Sequence, residues 1–232
     1  MKDASLMSYF GGLLTMIMVT LIVVSLAPFE RDPVLSKTEI FSTMYTFRFL
    51  LMVLFTVASA GVAIKVLRRY KVNYIFIFDL DPHYKVTYLQ LVRITLVMFT
   101  VWSFCLVGHI AVVKLKYIFE RPAAGFALAV FVIFLGLCCA PFHCFYKRAR
   151  KELLVVLWQI VISPFGMVKF KHFFLADILT SFVVPLKDVG NMICFFASSV
   201  WLDSRSPDTK AFPGLVYYLM IVPLLPFWFR FA

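Results

Sequence analysis

The sequence predicts an all-α, polytopic helical membrane protein with about six transmembrane helices plus one interfacial helix. Two observations predict it. The chain of 232 residues is 62% hydrophobic and only 15% charged, with 27 Phe, whereas soluble globular domains use about 45–50% apolar residues. The charges are also unevenly spread. They fall between uncharged runs close to the roughly 20 apolar residues that a helix needs to cross the hydrocarbon.

Marking off the charges gives the spans in order. Residues 4–29 carry none, 40–64 carry only Arg48, and 94–113 and 122–146 carry none; these are the first four spans. The first ends in "SLA" before Pro28, which is similar to a signal-peptidase site. Its 26 uncharged residues exceed the roughly 7–15 of a signal-peptide core, so an uncleaved anchor is expected. Between the second and third spans lies "KVNYIFIFDLDPHYKVTYLQL", from Lys71 to Leu91. Its aromatic and branched residues would suit a strand, but a lone strand in lipid leaves backbone groups unsatisfied. The segment is therefore placed at the cytosolic interface, where "DLDP" breaks the chain before the third helix starts near Tyr88. Residues 153–168 are uncharged too, but Pro164 and Gly166 interrupt them and six basic residues flank them. That pattern predicts an interfacial helix in the headgroup plane. Residues 172–202 then form a fifth span broken by Pro185, and 211–229 a sixth. The chain thus divides into four N-terminal transmembrane helices (1–146) and a segment of one interfacial and two transmembrane helices (147–232).

Basic residues orient the spans. With the N-terminus cytosolic, the inside segments hold Lys2, six Lys/Arg between 65 and 93, six between 147 and 171, and Arg230; the outside loops hold seven. Fourteen against seven predicts a multi-pass integral membrane protein with both termini cytosolic. The same bias accounts for the formal charge of +11. No run is polar or basic enough to make an exposed nucleic-acid-binding face, so the lipid bilayer is the expected partner and nucleic acid is not.

The candidate chemistry lies in the membrane. Most of the five cysteines fall within apolar runs and read as small buried hydrophobes, and "CCAPFHC" (Cys138 to Cys144, with His143) matches no structural zinc spacing. No metal and no cofactor are expected. An ionisable group at membrane depth costs about 2.5–3.5 kcal/mol on insertion scales, so it should face a polar cavity or a partner. The fifth span contains Asp177, Lys187 and Asp188, and the second contains Arg48. Asp177 is the deepest of the fifth span's three; Thr180 and Ser181 follow it by three and four residues, so all three can face one groove. A structural reading instead pairs Asp177 with Arg48 or Lys187. Lys187 and Asp188 are placed nearer the far interface, where snorkelling makes charge cheap. His109 reads as a packing residue. His172 and Asp177 satisfy H-x-x-x-x-D, an acyltransferase pattern in which the Asp orients the His as general base. Five residues on a straight helix leave a 140° offset at about 100° per residue, so an enzyme is not expected.

Five phrases, in order, carry a resemblance: "KVNYIFIFDLDP", "YKRAR", "SPFGMVKFKHFFLADILTS", "LKDVGNMICFF" and "LPFWFRF". With these the chain resembles the EXS-domain family of the retrovirus-receptor and phosphate-exporter type. It is most similar to the Golgi branch without an SPX domain, typified by the yeast ER-retention-defective protein. The resemblance makes residues 147–232 the N-terminal part of an EXS domain. It also implies further helices past Ala232, so the chain corresponds to the first six of about ten spans. The function implied is inorganic phosphate transport through a channel-like path between helices, either export or Golgi lumen-to-cytosol recycling. The alternative is a non-transporting membrane adaptor for Golgi retention of glycosyltransferases. Family residues at the phosphate site map onto Asp177 and, with Thr180 in place of Asn, onto the next turn, with Ser181 beside them. Thr180 keeps a hydroxyl that can donate to a phosphate oxygen. Arg48 is a candidate neighbour of the carboxylate, and Arg230 matches the arginine of the family's "W-x-R-F" near the cytosolic mouth. The implied partners are inorganic phosphate and either a second copy of the chain or Golgi membrane proteins. The implied location is the Golgi membrane, with the plasma membrane as alternative.

Overall fold

The computed structural model describes residues 2–26, 33–80, 87–114, 124–139, 146–162, 168–197, 213–225 and 228. Every regular element among them is helical. In chain order these are α1 (Lys2–Leu26), α2 (Pro33–Arg69), the single turn α3 (Tyr74–Ile77), α4 (Tyr88–Lys114), α5 (Ala124–Cys139), α6 (Lys147–Val161), α7 (Phe170–Thr180), α8 (Val183–Ala197) and α9 (Pro213–Ile221), which runs into a 3-10 turn at Val222–Leu224.

Of the segment whose residues would suit a strand, the described part before residue 81 holds a one-turn helix, Tyr74–Ile77. Asn73 caps it by accepting from the Phe76 N–H (3.4 Å), and Asp79 ends it in the left-handed region (φ 47°), which Asp tolerates better than most residues. The third span begins at Tyr88, as expected, for a local reason. The Gln90 side chain accepts from the Thr87 N–H at 2.8 Å, half of a capping box that satisfies one orphan donor of the helix start.

The core sits between α2, α4 and α5. Phe47, Leu50 and Leu54 of α2 meet Met98, Trp102, Cys105 and Leu106 of α4 and Ala127, Val130 and Phe134 of α5. Two of the polar side chains buried there find partners in the bundle. The Trp102 indole donates to the Phe47 carbonyl (3.0 Å), and His109 shares a 2.8 Å hydrogen bond with Thr43 while its ring packs on Phe47. His109 is therefore a packing residue. Gly108 lets α5 approach α4, since a Cβ there would stand 2.7 Å from the Phe126 ring; close backbone approach over small residues is usual between helices in lipid. The cysteines divide: Cys105 is buried, whereas Cys138 and Cys139 are exposed on α5 and not buried as expected. His143 and Cys144 lie outside the described residues.

Large apolar side chains also cover the outside, among them Met16, Val19, Phe55, Val62, Phe104 and Ile193. An outer surface of this kind suits hydrocarbon and not water. Among the described residues, two helical stretches have the length and apolar character to cross a bilayer alone, Thr43–Arg69 and Tyr88–Val113, and the α7–α8 pair passes the same test as one broken span; Gly11–Val23 and Ala124–Cys139 are shorter apolar helices. The helix α6 is strongly two-faced. Lys147, Arg148, Arg150 and Lys151 fill its first turns, and Leu153, Leu154, Trp158 and Val161 are exposed further along, the composition of a helix that lies in an interface.

Candidate functional site

The expected break in the fifth span exists, and it has two parts. α7 and α8 meet at 66° across Ser181 and Phe182. The kink lies four residues before Pro185, which sits in the first turn of α8. The cause is steric: a proline ring collides with the carbonyl of residue i−4, here Ser181, and its missing N–H is harmless in a first turn. The end of α7 tightens accordingly, with the Ser181 and Phe182 N–H groups donating to Ile178 (3.0 Å) and Leu179 (2.9 Å).

Asp177, Thr180 and Ser181 lie within this last turn. Asp177 and Thr180 are half-buried and Ser181 is exposed at the elbow. Thr180 differs from expectation in one respect. Its hydroxyl donates to the Asp177 carbonyl at 2.6 Å, so it closes the helix end and offers a ligand only its acceptor lone pairs. A broken helix exposes backbone groups at mid-span that a continuous helix would consume, and such backbone is tolerated in a membrane only where it is buried in protein or lines a cavity.

Arg48 is not joined to Asp177. It bonds Asp188 of α8 in a two-pronged pair, with Nε donating to Oδ2 at 2.5 Å and Nη2 to Oδ1. The Asp188 side chain is 2% exposed and that of Arg48 52%; the Arg48 guanidinium also lies over the Tyr45 ring, 5.7 Å from its centroid. Asp188 is therefore the buried member of an α2–α8 ion pair. The signal was present in the sequence. Pro185, Asp188, Met192 and Phe195 are buried at spacings of three, four and three, one stripe of a helix, so the carboxylate shares the face that packs inward. Lys187, one residue off that stripe, is half-buried.

His172 and Asp177 do not pair. His172 is the third residue of α7, and its Nδ1 accepts from the Lys169 N–H (3.3 Å), which caps the helix, while its buried Nε2 has no hydrogen-bond partner among the described residues. The base–orienter bond of an acyltransferase is absent between them.

The start of α7 is held from another quarter. Phe78, just after α3, packs on Phe170 (5.6 Å) and Phe174 (5.1 Å). Lys169 Nζ donates to the Asp79 carboxylate at 2.6 Å, and that hydrogen bond holds the Asp79 carboxyl below the usual carboxylate range. Lys171 reaches the Asp79 carbonyl at 3.4 Å. Two phrases about 90 residues apart, "IFIFDL" and "KFKHFFLAD", are thus one docked unit. Arg230 lies outside the described residues; nearby Trp228 donates from its indole to the Val161 carbonyl (3.1 Å), tying the segment after α9 to the end of α6.

The family model described as EXS family matches residues 43–232, from the second helix through the broken span to the end. The chain belongs to the EXS family. Among the relatives it resembles, SPX and EXS domain-containing protein 1 of Dictyostelium discoideum is 29% identical over 201 residues, covering 84% of this chain and 21% of that protein. Solute carrier family 53 member 1 of Mus musculus is 30% identical over 173 residues, 71% of this chain and 24% of the relative. Phosphate transporter PHO1 homolog 4 of Arabidopsis thaliana is 30% identical over 169 residues, 71% and 22%. The chain therefore matches only about a fifth to a quarter of the length of these EXS relatives.

Proposed function

We propose that the protein takes part in moving inorganic phosphate across a membrane, along a channel-like path between helices, with Asp177, Thr180 and Ser181 on one wall. The observation that carries the reading is the elbow at Ser181–Phe182, which interrupts a span one turn after Asp177. Interrupted helices supply polar backbone at membrane depth, the feature that ion and solute paths use. The name of the Arabidopsis relative, a phosphate transporter, supplies the substrate class.

A carboxylate in an anion site is workable. Dihydrogen phosphate carries protons that Asp177 can accept in hydrogen bonds, and a carboxylate also orients nearby basic groups. Arg48 and Arg230 are the basic candidates on this chain. We place the protein in the Golgi membrane with both termini cytosolic, six spans, and phosphate moving from lumen to cytosol.

The test is radiolabelled phosphate flux in sealed vesicles carrying the chain, alone and continued by the later helices of a full-length relative. Flux above protein-free vesicles in either preparation supports transport. Silence in both, together with co-purification of Golgi glycosyltransferases, moves the assignment to a retention adaptor.

A further inference from the structure

We infer that Asp188 is a positioning residue for phosphate passage: it holds Arg48 as a charge-neutralised hydrogen-bond fork whose free edge meets the anion. The inference rests on the phosphate-transport reading above and adds to it a second contact point, on α2 and α8, separate from the elbow.

The geometry makes the assignment. A guanidinium has five N–H donors, and Asp188 takes two of them with both carboxylate oxygens. The three that remain lie on a side chain that is 52% exposed, and Asp188 is its one hydrogen-bonded acceptor among the described residues. Arg48 is one and a half turns inside the apolar stretch Thr43–Arg69. Donors there cannot be left to hydrocarbon, because each unsatisfied polar group in lipid is costly. The outward edge therefore faces water, an anion or further protein, and an arginine fork matches a phosphate edge in the way it matches a carboxylate. The ring of Tyr45 flanks the guanidinium and narrows the directions from which a ligand reaches it.

The buried carboxylate then does two things. It fixes the plane of the fork by engaging the Nε edge, so the remaining Nη donors point away from α8. It also cancels the cation's charge, leaving a site that attracts phosphate by hydrogen bonds and not by net charge. A conducting path needs that balance, because an ion must bind well enough to enter and weakly enough to leave.

The experiment measures phosphate flux against phosphate concentration, in whichever of the two preparations described above conducts, at matched amounts of inserted protein. Asp188→Asn keeps an oxygen for Arg48 but removes the negative charge. It is expected to lower both the half-saturating phosphate concentration and the maximal flux, each about fivefold, as an uncompensated cation holds its anion. Arg48→Lys keeps the charge and the pairing but loses the fork, and should raise the half-saturating concentration about fivefold. Exchanging the pair, Arg48→Asp with Asp188→Arg, should restore folded protein without restoring flux, because the cation now projects from α8. Three results would overturn the inference: half-saturation unchanged in Asp188→Asn, half-saturation unchanged in Arg48→Lys, or flux recovered by the exchange. Wild-type silence in both preparations removes the transport reading and this one together; wild-type flux with any of those three results removes only this one.

Discussion

The ring of Tyr218 on α9 fills the space in which a side chain on Gly190 of α8 would stand, and its hydroxyl reaches past to the Leu186 carbonyl at 2.6 Å. One tyrosine thus anchors the last described helix to the second half of the broken span. Gly190→Ala must push the ring away, and overpacking of this kind costs about 1–3 kcal/mol. Thermal unfolding in detergent should show the loss, with Tyr218→Phe in the Gly190→Ala background adding little. An unchanged midpoint for Gly190→Ala would show that α9 adjusts freely against α8.

Arg48 and Asp188 make a second cross-bundle tie with a different signature. Arg48→Met leaves a carboxylate buried without its cation, and breaking such a pair from one side costs about 3 kcal/mol. Replacing both groups, Arg48→Met with Asp188→Leu, removes the desolvation problem and should recover most of that loss. The yield of monodisperse protein and its unfolding temperature check both variants. A double variant as unstable as the single one would mean that the bond itself, and not the orphaned charge, dominates.

These two contacts show what the sequence made legible. Counting charges located the long helices of the second and third spans, including the start of the third at Tyr88, because an uncharged run of membrane length has few alternatives to a helix. Pro185 announced a break, and its ring displaces the kink four residues upstream, onto the elbow itself. The pairing of Asp188 with Arg48 was not legible because a hydropathy count ignores the face on which a charge lies; the stripe Pro185, Asp188, Met192, Phe195 was the missing clue. Thr180 could not be read at all as a helix-closing donor, since a threonine hydroxyl bonds a carbonyl three or four residues back whenever the helix end leaves it free.

The contact between Asp79 and Lys169 makes a prediction about pH. Lys169 holds the Asp79 carboxyl below its ordinary value, so the folded state binds that proton less readily than the unfolded chain does. The stabilisation is complete above the unfolded value, near 3.9, and is lost as the pH falls through the lower folded value. Difference infrared spectroscopy, with the Asp79 band identified by Asp79→Asn, should show a midpoint below that of a free aspartate, and Lys169→Ala should move it back toward the ordinary range, with Lys171 still nearby. An ordinary midpoint in the wild type would mean that the docked unit of α3 and α7 is open in the membrane.

The proposed orientation rests on the fourteen-to-seven distribution of basic residues. Tags placed before residue 1 and after residue 232 should both be protected from protease added to the outside of intact cells or to the lumenal side of vesicles. A tag at Ser206 should be cleaved from that side. Protection of the Ser206 tag together with cleavage of the C-terminal one would contradict the six-span arrangement.

The most direct test of the central claim, that the broken span carries a phosphate contact, is the flux of Asp177→Ala compared with wild type at equal insertion. Asp177→Ala is expected to abolish phosphate flux while the protein still inserts and folds, and Asp177→Asn, which keeps hydrogen-bonding capacity without charge, is expected to retain a measurable part of it. Wild-type flux in Asp177→Ala would contradict the account and take the elbow out of the phosphate path.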